Sequence, residues 1–241
     1  MDGIDPALRL LTICRKNDLE LSSDQQTKIS HYVGALLEWN KKINLISRRD
    51  EENIWFSHIL HSLSPLFYID IAEGAYLLDL GSGGGLPGIP LAIARPDLHV
   101  TLLDSIKKKA MAAEDMVGNL GLRNVRVRTI RAEDFPHERR GANSFDLVIA
   151  RAVAPLADLI TWSRPLVKRV ARQTAPGGEK TKKGRRVPAT RLVALKGGDL
   201  DGEIAEARVK AGTSAITVIE MAFEGSLELG LEDKKLVLVN L

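Results

Sequence analysis

The sequence predicts an α/β fold in which a mostly parallel sheet ends in an antiparallel last strand, preceded by an N-terminal helical extension. From residue 75 onward, short apolar runs alternate with helical stretches, the pattern of parallel strands joined by crossover helices. The run at 76–80 is broken by four glycines in five positions, Gly81-Ser82-Gly83-Gly84-Gly85, before Pro87 and helix-forming residues follow, which reads as strand, turn, helix. Toward the end, 215–223 and 235–241 are β-rich runs joined by a loop too short for a helical crossover, so they pair antiparallel.

The extension covers residues 1–70. Leu8, Leu11 and Leu19 begin it, and Ser23-Asp24-Gln25-Gln26 offers a capping box ahead of Ile29, Val33, Leu36 and Leu37, which recur at helical spacing. Cys14 is the lone cysteine; it excludes an intramolecular disulfide and is expected to be at least half buried in a helix. Asp50, Glu51 and Glu52 suit the first turn of a further helix carrying Ile54, Ile59, Leu63 and Leu66. Between these, Trp39-Asn40-Lys41-Lys42-Ile43-Asn44-Leu45 sets lysines and amides beside a tryptophan. A core Trp39 with solvated Lys41 and Lys42 accounts for it; beside a cofactor domain, the same residues form a candidate substrate surface. His58 and His61 sit three apart and share a helical face. No Cys or further His follows at ligand spacing, so a structural or substrate-side role is expected and a metal site is not.

The domain at 71–241 divides into strands at 76–80, 99–104, 124–130, 145–150 and 191–196. Its helices are expected at 87–94, 107–120, 155–171 with a kink near Pro165, and 202–211. In 124–130, Val125 and Val127 alternate with Arg126 and Arg128, which fits an edge strand better than a central one.

Candidate chemistry gathers at the strand tips, because ligands of such sheets bind beyond the carboxyl ends of the strands. Glycines at 81–88 permit backbone angles that side chains forbid and let a ligand lie on bare backbone. The helix that follows is expected to turn free N–H groups toward the loop. Gly83, Gly85 and Gly88 fit the dinucleotide spacing G-x-G-x-x-G, but that register leaves Gly81 and Ser82 surplus. Counted from Gly81, the pattern is Asp79-x-Gly81-x-Gly83-x-Gly85, with Leu86 in place of a third dinucleotide glycine. An acidic residue two places before the first glycine resembles S-adenosylmethionine-dependent methyltransferases. Asp104, about 20 residues on, ends the next strand where an acid takes a ribose hydroxyl. The remaining tips carry Ala132-Glu133, suited to an adenine, then Arg151, and then Lys196.

Hydrophobic residues at 44% and charged ones at 27% place the chain among soluble globular proteins. With no long apolar run and no basic stretch at the start, it is expected to be cytoplasmic and off membranes. The net charge of +3 is unevenly spread: residues 164–191 hold ten Lys or Arg and one acid, which leaves −6 for the rest. Within that stretch, about 173–190 reads as an inserted flexible basic loop suited to phosphate contacts.

Trp39-Asn-Lys-Lys-Ile-Asn-Leu45, Asp79-Leu-Gly-Ser-Gly-Gly-Gly-Leu-Pro-Gly-Ile-Pro-Leu91, Leu103-Asp104-Ser105, Ala132-Glu133, Arg151-Ala152 and Leu195-Lys196-Gly197 follow in the order and spacing of the RsmG family, also called GidB. The resemblance spans nearly the whole chain. It implies a class I methyltransferase, Rossmann-like fold, S-adenosylmethionine as cofactor, and methylation of guanine N7 in a loop of 16S ribosomal RNA, either free or in the small ribosomal subunit. It assigns cofactor contacts to Gly81, Leu86, Ala132, Glu133 and Arg151, with Asp104 placed for the ribose, and the loop pattern adds Gly83. Lys196, His58, Lys41 and Lys42 are the candidate RNA contacts. Where the family usually carries Arg-His-x-x-Asp-Ser, this chain has Ser57-His58-Ile59-Leu60-His61-Ser62. Guanine N7 has an in-plane lone pair and no proton, so the chemistry calls for no general base. Two rival functions are a nicotinamide-dependent oxidoreductase, disfavoured by the Gly81 register and the antiparallel tail, and a non-catalytic RNA-binding module that keeps the cofactor fold.

Overall fold

The structure, a computed structural model, describes residues 5–168, 187–188, 191–212, 215–231 and 233–241. One seven-stranded sheet dominates: β1 Tyr76–Leu80, β2 His99–Asp104, β3 Val125–Thr129, β4 Leu147–Arg151, β5 Leu192–Gly197, β6 Ile216–Glu220 and β7 Lys234–Val239. Their order is β3-β2-β1-β4-β5-β7-β6. The first five are parallel, and β7 runs antiparallel between β5 and β6, with Val237 opposite Ala194 on one side and Val218 on the other. This is the mostly parallel sheet with an antiparallel last strand that the sequence predicts. At the edge, β3 buries Val125 and exposes Arg126 and Arg128. The central strands β1 and β4 are buried on both faces, which is why they read as continuous apolar runs. Apart from the sheet, Ile69–Asp70 pair in parallel with Val187–Pro188; the rest of the basic stretch at 173–190 lies outside the described residues.

Among the described residues, six α-helices of seven residues or more accompany the sheet: α1 Pro6–Lys16, α2 Ser23–Asn40, α3 Gly88–Ala94, α4 Lys107–Asn119, α5 Leu156–Ser163 and α6 Asp201–Lys210. Cys14 is buried in α1. The capping box of α2 sits one residue earlier than expected: the Ser22 hydroxyl accepts the Gln25 N–H at 3.3 Å, and the Gln25 side chain accepts the Ser22 N–H at 2.7 Å. Gln25 Nε2 also donates to the carbonyls of Ile93 and Ala94 at the end of α3, at 2.9 and 3.0 Å, a tertiary tie that selects Ser22 over Ser23.

Two expectations need correction. The single helix predicted from Asp50 is instead a 3-10 turn at Arg48–Asp50, a π-helical turn at Trp55–Leu60 and short α segments at His61–Leu63 and Pro65–Tyr68. The five-residue step from Ile54 to Ile59 matches the wider π turn. The helix predicted over 155–171 ends at Ser163, because Pro165 has no N–H with which to continue the ladder. The chain then bridges Val167 to Phe145, and 169–171 lie outside the described residues.

The extension is built into the main core. Leu10, Ile29, Tyr32, Leu36 and Leu63 pool with Leu77, Ile89, Leu102 and Ile149 in one buried cluster on one face of the sheet. On the other face, Leu156 and Ile160 of α5 and Ala207 of α6 cover Leu78, Val148, Ala194 and Val237.

Candidate cofactor site

The glycine loop leaves β1 at the carboxyl edge of the sheet. Gly81, Gly83 and Gly85 have φ of +72°, +54° and +90°, values that side chains rarely adopt. A Cβ on Gly81 would stand 2.5 and 2.6 Å from the two γ-carbons of Val153, and one on Gly85 would strike Ile89. The loop is sewn to β2. Gly81 and Ser82 N–H both donate to the Leu103 carbonyl at 2.8 and 3.0 Å, and Gly83 N–H donates to Asp104 Oδ2 at 2.9 Å. Asp104 Oδ1 accepts the Ile106 N–H at 2.8 Å. The Leu86 N–H turns back to the Ser82 carbonyl at 2.9 Å.

The start of α3 differs from the expectation of free N–H groups. Asp79 is fully buried beneath the loop, and its Oδ2 accepts the Gly88 N–H at 2.7 Å. Ile89 N–H goes to the Gly85 carbonyl at 2.7 Å, while Pro87 and Pro90 have none to give. The chain's own carboxylate thus occupies the place where a bound phosphate would sit. Asp79 Oδ1 has no hydrogen-bond partner among the described residues. Burial pushes the Asp79 carboxyl up to about 7, against the Gly88 hydrogen bond and the charge of Arg151, which both favour ionisation.

Behind the loop stands the extension. The buried Tyr32 hydroxyl donates to the Gly84 carbonyl at 2.8 Å, and Leu36 and Leu45 close on Gly84 so tightly that a Cβ there would stand 2.7 Å from Leu36 Cδ1. Leu45 is held by Asn40, whose Oδ1 accepts the N–H groups of Leu45 and Ile46 at 2.7 and 2.9 Å while its Nδ2 donates to Glu51 at 2.6 Å. The Trp39–Leu45 motif therefore contributes Asn40 and Leu45 to the wall of the loop. Its lysines point elsewhere: Lys41 pairs with Glu38 at 2.6 Å, and Lys42 Nζ lies 4.8 Å over the Trp39 ring, whose Nε1 donates to Asp115 of α4.

Arg151 ends β4. Its Nη2 donates to His58 Nδ1 at 2.9 Å, so His58 carries its proton on Nε2, which stands 3.5 Å from Asp50. Burial, reinforced by Arg151, holds His58 down at about 4 and His61 at about 3, so both are neutral at physiological pH. Burial also lowers Arg151, opposed by the nearby Tyr32, Asp79 and Asp50. Among the described residues, no group of His, Cys, Asp and Glu is placed to hold a metal.

Lys196 Nζ donates to the Ala154 carbonyl at 2.8 Å and to Glu203 Oε1 at 2.7 Å, and the same Glu203 oxygen accepts the Leu156 N–H. This latch fixes the segment that carries Val153 over Gly81. Ala132 is half-buried and Glu133 exposed in the turn after β3. The structure thus ties Gly81, Gly83, Leu86, Asp104 and Arg151 to one loop and its supports, sets Ala132 and Glu133 at the neighbouring strand tip, and leaves Lys41 and Lys42 on the outside of the extension.

Four contributors escape sequence reasoning. Ala152 has φ +53°, a strained angle that an alanine does not advertise. Val153 and Ile106 keep 37% and 49% of their surface exposed beside Gly81 and Asp104, which offers apolar walls for a flat ligand. Tyr32 sits within an apolar helical stripe and reads as core.

The model of the GidB family, described as rRNA small subunit methyltransferase G, matches residues 25–186. A protein of Chlorobium luteolum named Ribosomal RNA small subunit methyltransferase G is 41% identical over 208 residues, 86% of this chain and 77% of that protein. Proteins of the same name from Bacteroides fragilis and Bacteroides thetaiotaomicron are 40% and 37% identical, over 76% and 90% of this chain and 80% and 94% of their own lengths. On the extent of these matches, the chain belongs to the GidB family.

Proposed function

We infer that the protein transfers a methyl group from S-adenosylmethionine to N7 of a guanosine in a loop of 16S ribosomal RNA. Membership of the GidB family supports the reaction, and the plugged start of α3 supports the cofactor. A dinucleotide pyrophosphate needs the free N–H groups of a helix start, whereas here Asp79 already fills that place. S-adenosylmethionine, which carries no phosphate, suits a loop of this build, and when bound it supplies a sulfonium methyl group as the electrophile for guanine N7.

The chain's task is to bind, align and exclude water. Gly81 and Gly83 present bare backbone; Ile106 and Val153 flank it with apolar surface, and the Ala132-Glu133 turn stands at the next strand tip. Each Asp104 oxygen spends one lone pair on a backbone N–H, which leaves a second on each for ribose hydroxyls. Arg151 supplies fixed positive charge beneath the loop. Because N7 carries no proton, no residue has to remove one, and the acceleration comes from alignment. A target in a single-stranded loop exposes the Hoogsteen edge that the narrow A-form major groove hides.

The test incubates the protein with methyl-labelled S-adenosylmethionine and unmethylated small subunits or free 16S RNA, and maps N7-methylguanosine by cleavage at the modified base. One labelled loop guanosine is expected. Cofactor binding without label on either RNA would refute the substrate, and no cofactor binding would refute the site.

A further inference from the structure

We propose that the open sheet face beside β3 is a second RNA-binding groove, which grips ribose-phosphate backbone away from the methyl-transfer site; the proposal rests on the RNA substrate inferred above. Between β3 and β4 the chain forms no crossover α-helix, only the short 3-10 turn Phe135–His137. One side of β1, β2 and β3 is therefore left uncovered toward its amino end. Alternation places Arg126 and Arg128 on that side, in register with Thr101 and Leu103. With Arg139, Arg140 and Lys168 they line a groove of about 350 Å³ whose described lining includes no carboxylate. Arg128 and Lys168 are paired to Glu138 and Asp146, each at 2.8 or 2.7 Å, whereas Arg126, Arg139 and Arg140 are exposed and have no carboxylate partner among the described residues.

The backbone that carries them is anchored. Arg140 adopts φ +70°, a costly angle outside glycine, and the loop that carries it is pinned by Gly141 N–H to the Glu138 carbonyl at 2.9 Å. Farther on, Asn143 and Ser144 N–H donate to the carbonyls of Pro165 and Leu166 at 3.0 and 2.9 Å. A groove that gathers positive charge on a rigid frame is matched to a polyanion.

It takes backbone rather than bases. Of its aromatic side chains, Phe135 and Phe145 are buried, and the ring of Tyr76 is already engaged by His99, stacked at 4.6 Å, and by the Lys168 ammonium at 4.7 Å, so the groove offers cations rather than a row of free stacking platforms. Contacts here are consequently indifferent to sequence and sensitive to salt. Tyr76 lies five residues before Gly81, about 16 Å along the strand, so the groove acts on RNA flanking the target guanosine.

The test compares wild type with the triple variant Arg126→Gln, Arg139→Gln, Arg140→Gln, and with Lys at the same three positions. The readouts are filter binding of 16S RNA across a salt series, methyl-transfer kinetics and cofactor affinity. Loss of three phosphate contacts makes the log affinity against log salt slope shallower by about 2 and weakens RNA binding roughly 10- to 50-fold at physiological salt. The KM for RNA rises in step, kcat and cofactor affinity hold, and the Lys variant keeps the wild-type slope. If wild type binds and methylates RNA and the Gln variant matches it in slope and KM, the groove is refuted alone. If wild type binds no ribosomal RNA, the substrate and the groove fall together.

Discussion

Alanine at Gly81 tests whether Val153 closes the cofactor loop as the structure shows. The added Cβ meets the γ-carbons of Val153 at 2.5 and 2.6 Å and its Cβ at 3.1 Å, with the backbone at φ +72°. The left-handed angle costs a side chain about 1–2 kcal/mol, and forcing a methyl group into occupied space costs about 1–3 kcal/mol more. Gly81→Ala should therefore destabilise the fold by about 2–5 kcal/mol in urea unfolding. Val153 is partly exposed, so Val153→Ala alone should cost under about 1 kcal/mol. The double variant removes the two γ-carbon contacts but neither the 3.1 Å approach of the residue-153 Cβ nor the angle, so it should recover most of the packing share, a coupling of about 1–3 kcal/mol. Cofactor affinity should follow, poor in Gly81→Ala and better in the double variant. A Gly81→Ala cost below about 0.5 kcal/mol, or a double variant as unstable as the sum of the singles, would refute the proposed contact.

Further outcomes follow from the surroundings of the loop. Arg151→Gln removes a charged hydrogen-bond donor, worth about 1.5–3 kcal/mol, so cofactor affinity should fall roughly 10- to 100-fold, and in NMR titration His58 should protonate at higher pH than in wild type, since Arg151 holds it down. His58 and His61 refuse protons that the unfolded chain takes up below its ordinary 6.5, so their contribution is complete above that pH and is lost as pH falls toward 4 and 3. Asp79 has the opposite sign, its share being lost as pH rises from 3.8 to about 7; at about 1.4 kcal/mol per pH unit per group, wild-type stability should climb from pH 4.5 to 6.5, and His58→Gln with His61→Gln should reverse the slope. Lys196→Met leaves Glu203 without its ammonium partner, so it should cost about 2 kcal/mol and weaken cofactor binding while leaving RNA filter binding unchanged; the reverse pattern would make Lys196 an RNA contact.

How much of this was legible depends on what fixes each element. Strands at 76–80 and 99–104 agree with the structure to the residue because their carboxyl halves, buried on both faces, must be apolar whatever packs on them, and each run ends where glycine or an acid begins the site. The extension was harder. Ser22 and Ser23 both begin a Ser-x-x-Gln pattern, and only contact with the end of α3 chooses between them. The π turn at Trp55–Leu60 holds buried His58 beside Arg151, an arrangement set by tertiary contacts that helical propensity does not register. In the site, Asp79, Gly81, Asp104 and Arg151 stand out because polar or flexible residues at strand tips are conspicuous. Val153, Ile106 and Tyr32 do not, since an apolar side chain at a ligand wall and one in a core look alike in sequence.

Asp79 shows how one residue decides what a glycine-rich turn can hold. A strand, a run of glycines and a helix start make an anion site by default, because the first N–H groups of the helix lack partners. Here the carboxylate comes from the strand itself, two residues before the first glycine, and takes the Gly88 N–H from below. Gly88 must be glycine for that approach: a Cβ there would strike Leu102 and stand 2.7 Å from Asp79 Oδ2. With the helix start satisfied and Arg151 supplying counter-charge, phosphate loses its advantage and the loop becomes a surface of bare backbone. The cost is a buried carboxyl with one oxygen that has no partner among the described residues, and the extension seals the loop from behind through Tyr32, Leu36 and Leu45. The helical extension and the cofactor loop are thus one device, and a change in either should be felt as a change in cofactor affinity.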